Sequence, residues 1–380
     1  MPIVFKPYQL EAIKLLKQKK KSFLTNACNT GKTLISLQFA KELGGRTLIV
    51  CENKKILDWK EEAKKLNFTN YEIYNYANIY KCFRRHDFAI FLLDECQNMG
   101  DWNSTKGKTN ITLAQRAPYV VFISATPTLS KPIGLYWPLK ICKAFSGTKE
   151  EFRIRYCGAF RIPGKIWLID GKWTNTQELR NKLTSVEVNT AKSVRKLTIK
   201  NHIINCSLNI DKYKLNSKFK KVLNTPEFEQ TSINRLAIGI AKMEVYKAWV
   251  RTNTLPSKMV FFHHHKYVGQ ELQRLYDCPR ISGQTSVKKA KQIIEEFSAQ
   301  SRGYLVLSLK SCAAGINIFN CNKCFFIEQD FSPMLIKQAI QRLAREKRVA
   351  TIYAYFLRAK NEHTDIVLNK KHEGFKKLKF

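Results

Sequence analysis

The stretch SFLTNACNTGKTLISLQFAKEL (22–43) constrains the fold most, because two different periodicities meet across a polar loop. SFLT (22–25) is a short apolar run that reads as a buried strand. Leu34, Leu37, Phe39, Ala40 and Leu43 then recur at helical spacing. Strand, loop and helix in this order leave free N–H groups at the helix start, where an anion is favoured. Gly31, Lys32 and Thr33 match the end of G-x-x-x-x-G-K-[ST], but Asn26 stands where the first glycine belongs. In that pattern Lys32 neutralises β/γ-phosphate charge and the Thr33 hydroxyl holds Mg²⁺. Asn29 takes a loop position where glycine is common, and asparagine tolerates left-handed backbone better than most residues. Thr30 completes the loop ahead of Gly31.

Two further strands end in polar groups. AIFLLDECQNM (89–99) has an apolar run long enough for a fully buried strand, and it stops at Asp94-Glu95. A carboxylate pair at a strand end beside a phosphate loop suits metal holding by Asp94 and polarisation of a water by Glu95. VVFISATP (120–127) is a third such strand. Alternation of strands and helices through residues 1–145 implies an α/β fold with a parallel sheet.

With 380 residues and ~100–200 residues per domain, two domains are expected. Lys+Arg 66 against Asp+Glu 30 gives a net charge of +36, which favours a polyanionic partner, DNA or RNA first. The eleven cysteines are scattered rather than framed, which suits free thiols in a reducing, intracellular compartment. Lys6 follows MPIVF at once, so no signal peptide is expected, and no run of ~18–20 apolar residues suggests a membrane span.

GKT, DECQ and SATP, in this order and each after an apolar strand, resemble motifs I, II and III of superfamily-two helicases. FKPYQLEAI (5–13) resembles the Q motif that precedes them, which implies that Gln9 reads adenine. TLIVCENKKILDWKEEAKKL (47–66) resembles motif Ia, which implies backbone contacts to nucleic acid from Lys54 and Trp59. The tryptophan of ILDWKEE, the run SATPTLSKPIGLYWPLK, and FRIRYCGAF…GKWTNTQELRNKL (152–183) resemble the Swi/Snf type and its annealing-helicase branch.

The likeness continues through KMVFFHHHKYVGQEL (258–272) and ISGQTSVKKAKQIIEEF (281–297). GYLVLSLKSCAAGINIFNCNKCFFIEQDFSP (303–333) resembles motif V, which implies nucleic-acid contacts for Ser308 and Lys310 and a nucleotide contact for Gly315. Cys312, Ala313 and Ala314 replace the more usual glycines there. In PMLIKQAIQRLAREKR (333–348), Gln338, Arg342 and Arg345 resemble the Q-x-x-x-R-x-x-R core of motif VI. Arg342 and Arg345 are three apart, on one helix face. The resemblance implies that they stabilise charge on a γ-phosphate as arginine fingers. The family's DRxHRxGQ is here QRLAREKR, which changes the partners around those arginines.

The resemblance implies two tandem RecA-like domains, each a mainly parallel sheet flanked by helices. Residues 1–145 are read as lobe 1, 146–205 as a bridging insertion and linker containing Arg195, and 206–380 as lobe 2. It also implies ATP and Mg²⁺, and an ATP-driven motor on double-stranded or forked DNA that translocates, reanneals strands or drives branch migration. A strand-separating DNA or RNA helicase is the alternative within the class. A nucleic-acid-binding scaffold with a decayed ATP site is the alternative outside it. HHH (263–265) and CNKC (321–324) are set aside as metal sites. Adjacent strand residues face opposite ways, and one CxxC supplies only two of the four ligands a zinc site needs.

Overall fold

The computed structural model describes residues 3–27, 30–85, 87–99, 103–125, 127, 132–161, 168–169, 173–191, 198–208, 227–309, 318, 320–330, 333–343 and 351–359. The chain divides into two compact units at Arg195/Lys196. Membership of either unit follows from where apolar runs find strand partners.

In the first unit, α1 (Pro7–Lys19) starts with Pro7, whose missing N–H is no loss there. β1 (Lys21–Leu24) leads into the phosphate loop and α2 (Lys32–Leu43). β2 (Thr47–Cys51), α3 (Ile56–Lys65), β3 (Tyr71–Asn75), β4 (Ile90–Asp94), α4 (Thr105–Arg116) and β5 (Tyr119–Ile123) continue the alternation. Then come α5 (Tyr136–Ile141), α6 (Lys149–Cys157), the antiparallel pair β6 (Phe160–Arg161) and β7 (Leu168–Ile169), α7 (Thr176–Val186) and β8 (Glu187–Val188). The sheet order is β3-β2-β4-β5-β1-β8, with every pairing parallel.

Alternation of side chains divides this sheet's apolar residues between two cores. Leu48, Val50, Phe91, Leu93 and Phe122 line one face. Ile49, Cys51, Ile90, Leu92 and Ile123 line the other. Burial on both faces is what the continuous apolar runs require. Each such side chain contributes roughly 1.5–3 kcal/mol.

In the second unit, β9 (Thr198–Cys206), α8 (Glu227–Thr252), β10 (Lys258–His263), α9 (Lys266–Tyr276), β11 (Arg280–Ile281), α10 (Val287–Ala299), β12 (Gly303–Ser308), β13 (Lys323–Phe326), α11 (Pro333–Leu343) and β14 (Thr351–Ala359) build a second parallel sheet. Its order is β11-β12-β10-β13-β14-β9. Phe262, Phe326 and Phe356 stack across three neighbouring strands, with centroids 4.7 and 4.8 Å apart. Two parallel sheets flanked by helices are the expected tandem RecA-like arrangement.

The expected bridge over 146–205 is divided between the units. Leu179 and Leu183 of α7 are buried in the first unit's core, and β8 pairs with β1. β9 pairs with β14 along nine residues of the second sheet. A two-residue strand such as β8 has no periodicity to read, and β9 finds its partner ~150 residues later in the chain. The segment DKYKLNSKFKKVL and Arg195 lie outside the described residues.

Candidate nucleotide site

All strands of the first sheet run parallel, so β1, β2, β4 and β5 present their C-terminal ends along one edge. Leu24 and Asp94 are both register partners of Ile123. That common neighbour places the phosphate loop and the carboxylate pair on either side of β5.

Gly31 caps α2 in the left-handed region, at φ +79°. A Cβ there would lie 2.6 Å from Gln9 Nε2, so both backbone and space call for glycine. No side chain caps the start of α2. Lys32 opens the helix, and its ammonium donates to the carbonyls of Asn26 (2.9 Å) and Ala27 (3.1 Å). Thr33 follows in the first turn, half-buried. Thr30 is buried, and its hydroxyl donates to Ala27 O at 2.8 Å. Asn29 lies outside the described residues.

Gln9 does two jobs through its amide. Oε1 accepts from the Lys6 N–H at 2.9 Å, closing the cap of α1. Nε2 donates to Thr30 O at 3.1 Å, fastening α1 to the phosphate loop. The Gln9 side chain, 6% exposed, thus lies against the phosphate loop, while the contact expected of it is with adenine.

Asp94 ends β4, and Glu95 follows it with φ +49°. A non-glycine residue in that region is held by its surroundings. Gln97 Nε2 donates to Glu95 Oε2 at 2.6 Å, and Ser124 Oγ approaches the same oxygen at 3.4 Å. Ser124, just past β5, is the serine of SATP, so the third strand ends against the carboxylate of the second. Tyr76, a buried phenol, donates to Asp94 O at 2.6 Å. Loss of hydration holds Tyr76 protonated, well above its usual range. Loss of hydration, then the like charge of Glu95, raises the Asp94 pKa. A cation beside Asp94 would relieve both effects, and the donor set of Thr33 hydroxyl and Asp94 carboxylate is all oxygen, as Mg²⁺ requires.

One residue departs from its expected role. Trp59 is 1% exposed and offers no surface to nucleic acid. Its indole Nε1 donates instead to Asp94 Oδ2, at 2.9 Å. The reason is helical spacing: Trp59 and Ala63, four apart, form the buried face of α3. Lys54 lies on the short turn between β2 and α3, half-buried at the same sheet edge.

In the second unit, Ser308 ends β12 in register with His263 and is 9% exposed. Gln338 and Arg342 lie one turn apart on α11, 9% and 8% exposed. The Arg342 carbonyl accepts from the Ile318 N–H at 3.1 Å, which fixes the end of α11. Lys310, Gly315 and Arg345 lie outside the described residues. Among the described residues no cluster of three or more potential ligands could hold a metal ion. No described helix is long and apolar enough to cross a membrane.

Tyr76 and Trp59 were missed as partners of Asp94. Tyr76 lies in the repeat-poor run YEIYNYANIY, where no spacing marks one tyrosine over another. Gln97 was legible as the last letter of DECQ, though its bond to Glu95 was not.

Residues 241–347 match the helicase conserved C-terminal domain. The chain is 25% identical, over 76% of its length, to 42% of the SWI/SNF-related matrix-associated actin-dependent regulator of chromatin subfamily A-like protein 1 of Drosophila melanogaster. It is 22% identical, over 75% of its length, to 44% of the Caenorhabditis elegans homologue of that protein. It is 20% identical, over 80% of its length, to 31% of the human DNA annealing helicase and endonuclease ZRANB3. The chain thus spans less than half the length of each of these relatives. It also overlays a Sulfolobus solfataricus SWI2/SNF2 ATPase core solved in complex with dsDNA, with a TM-score of 0.45 and 14% identity over 94% of this chain and 88% of that one.

In the family-model match and in motif order the chain is similar to helicases of superfamily two. Within that superfamily its likeness is to the Swi/Snf type and to the annealing-helicase branch.

Proposed function

We propose that the protein is a nucleic-acid-stimulated ATPase that works as a motor on duplex or forked DNA. The observation that carries this reading is the meeting, beside β5, of the Lys32 loop with Asp94 and Glu95, the first carboxylate held by the buried indole of Trp59 and the second by Gln97.

The residues divide the work. Lys32 exchanges two loop carbonyls for phosphate oxygens, which form stronger, charge-assisted bonds. The uncapped N–H groups of α2 add to the same anion site. Mg²⁺, when bound, neutralises phosphate charge, and Thr33 and Asp94 are the residues that would hold it. Trp59 keeps the Asp94 carboxylate from turning, and Tyr76 holds the main-chain carbonyl of the same residue. Gln97 and Ser124 orient Glu95 so that its carboxylate can accept a proton from an attacking water. Gln9 sits against the loop and is the candidate for contact with adenine.

From the second unit, Arg342 and Arg345 are proposed to stabilise charge at the γ-phosphate, with Gln338 beside them and Gly315 near the nucleotide. Lys54, Ser308 and Lys310 are proposed to hold the DNA backbone. A net charge of +36 supplies the sequence-independent part of that affinity. Alternation of two such grips with ATP turnover moves the chain along DNA. The buried free thiols suit a reducing intracellular compartment.

The test is phosphate release from ATP with single-stranded, duplex and forked DNA, and RNA, added separately. Greater stimulation by duplex or fork supports translocation or annealing. Stimulation by single strands or RNA alone supports strand separation, and binding without stimulation supports a scaffold.

A further inference from the structure

Asn26 is fully buried two residues after β1, and its two ends face different partners. Its carbonyl accepts from Lys32 Nζ. Its side-chain Oδ1 accepts from the backbone N–H of Thr190 at 3.0 Å, and Nδ2 donates to Thr190 Oγ1 at 3.1 Å. The Thr190 hydroxyl donates in turn to Tyr8 O at 2.8 Å. The Tyr8 phenol donates to Thr30 O at 3.2 Å, closing a circuit back to the phosphate loop.

The main chain extends the contact. Thr25 N–H donates to Val188 O, and Ala27 N–H to Ala191 O. The Thr25 hydroxyl also donates to Glu187. Residues 25–27 are therefore paired with 187–191, the last described segment before the first unit ends at Arg195. A glycine at position 26 could make none of the side-chain bonds. The departure from the usual loop pattern is thus a gain of contact with the exit segment rather than a loss at the phosphate site.

We infer that Asn26 is a positioning residue that couples the state of Lys32 to the segment 187–191, where the chain leaves the first unit. The inference rests on the nucleotide reading of the loop. When the Lys32 ammonium moves to a phosphate, the Asn26 carbonyl loses a charge-assisted donor. The same residue's amide holds Thr190, so the peptide cannot readjust without loading that clamp. Thr190 touches no proposed substrate group, which makes it the clean place to cut the coupling.

The experiment is hydrogen–deuterium exchange of the full chain, read on peptides covering 187–191, with and without a non-hydrolysable ATP analogue and Mg²⁺. Wild type, Thr190→Val and Thr190→Ser are compared, and affinity for the analogue is measured alongside. In wild type the analogue should change exchange in 187–191 by about threefold or more. Thr190→Val keeps shape but lacks the hydroxyl that meets Asn26 Nδ2 and Tyr8 O. It should bind the analogue within about twofold of wild type yet lose the exchange response. Thr190→Ser should restore the response. Retention of the full response in Thr190→Val would overturn the inference, as would wild type that binds the analogue with no change at 187–191. Failure of wild type to bind the analogue would instead overturn the nucleotide site itself, and the coupling with it.

Discussion

Trp59 Nε1 donates to Asp94 Oδ2 at 2.9 Å, so a residue of α3 fixes the carboxylate at the end of β4. The indole is 1% exposed, and its bond is made to a group whose ionised form is already disfavoured by burial. A buried donor to a charged acceptor is worth about 1.5–3 kcal/mol. That is enough to decide the rotamer of Asp94.

Trp59→Phe keeps most of the volume and removes the donor. ATP turnover should fall about tenfold, and the Mg²⁺ concentration needed for half-maximal rate should rise. DNA affinity should stay within about twofold, because Trp59 has no exposed surface. A Mg²⁺ titration of turnover, paired with a DNA-binding isotherm, checks both. Weakened DNA binding with unchanged Mg²⁺ dependence would return Trp59 to the nucleic-acid interface.

Glu95→Gln should separate binding from turnover. The amide keeps the size and still meets Gln97 and Ser124, but it cannot take a proton from water. ATP affinity should persist while the rate falls by about 10²–10⁴-fold. Single-turnover hydrolysis alongside binding of a fluorescent ATP analogue reads the two quantities apart.

Acid should weaken Mg²⁺·ATP binding through Asp94. Its pKa is raised, so protonation competes with metal at pH values above the ordinary 3.8. Affinity should therefore fall as pH falls, starting above that value, and Asp94→Asn should be weak at every pH. Calorimetric titration of wild type and Asp94→Asn from pH 7 downward measures the slope. A fall in wild type no steeper than that in Asp94→Asn would mean that Asp94 does not hold the metal.

The second unit should carry an acid-sensitive histidine. His263 is 1% exposed, and burial pushes its pKa down from 6.5 to about 4 despite nearby Glu328. Its Nδ1–H donates to His265 O at 2.9 Å, while Nε2 faces Gly269, where a Cβ would lie 2.3 Å away. A second ring proton has nowhere to go. The folded pKa lies below the unfolded one, so this stability is complete above about pH 6.5 and is lost as pH falls towards 4. The shift corresponds to roughly 3 kcal/mol. His263→Asn, which can still donate to His265 O, should flatten the loss of stability over that range in urea melts.

Much of this architecture could be read from apolar runs. IFLLD, TLIVC and KMVFFH are buried on both faces, and nothing but a central parallel strand accommodates such runs in a chain of this length. The phosphate loop was legible for a different reason, since helix stripe and glycine position agree on where α2 begins. Trp59 was misread because motif likeness was given more weight than spacing. Its pairing with Ala63 across one helical turn already marked an inward face. The partners of Asn26 were beyond reading, because Thr190 lies 164 residues away and only the fold brings it back. Residues 146–205 misled for a related reason: α7 and β8 declare their unit through Leu179, Leu183 and a two-residue pairing, not through any boundary in composition.

The most direct test compares ATP turnover by wild type and Lys32→Ala, each with and without forked DNA at low salt. The account predicts strong stimulation of wild type by the fork, and no turnover above background in Lys32→Ala although it still binds the DNA. Fork-stimulated hydrolysis that survives the loss of Lys32, or wild type that binds the fork and never hydrolyses ATP, would contradict it.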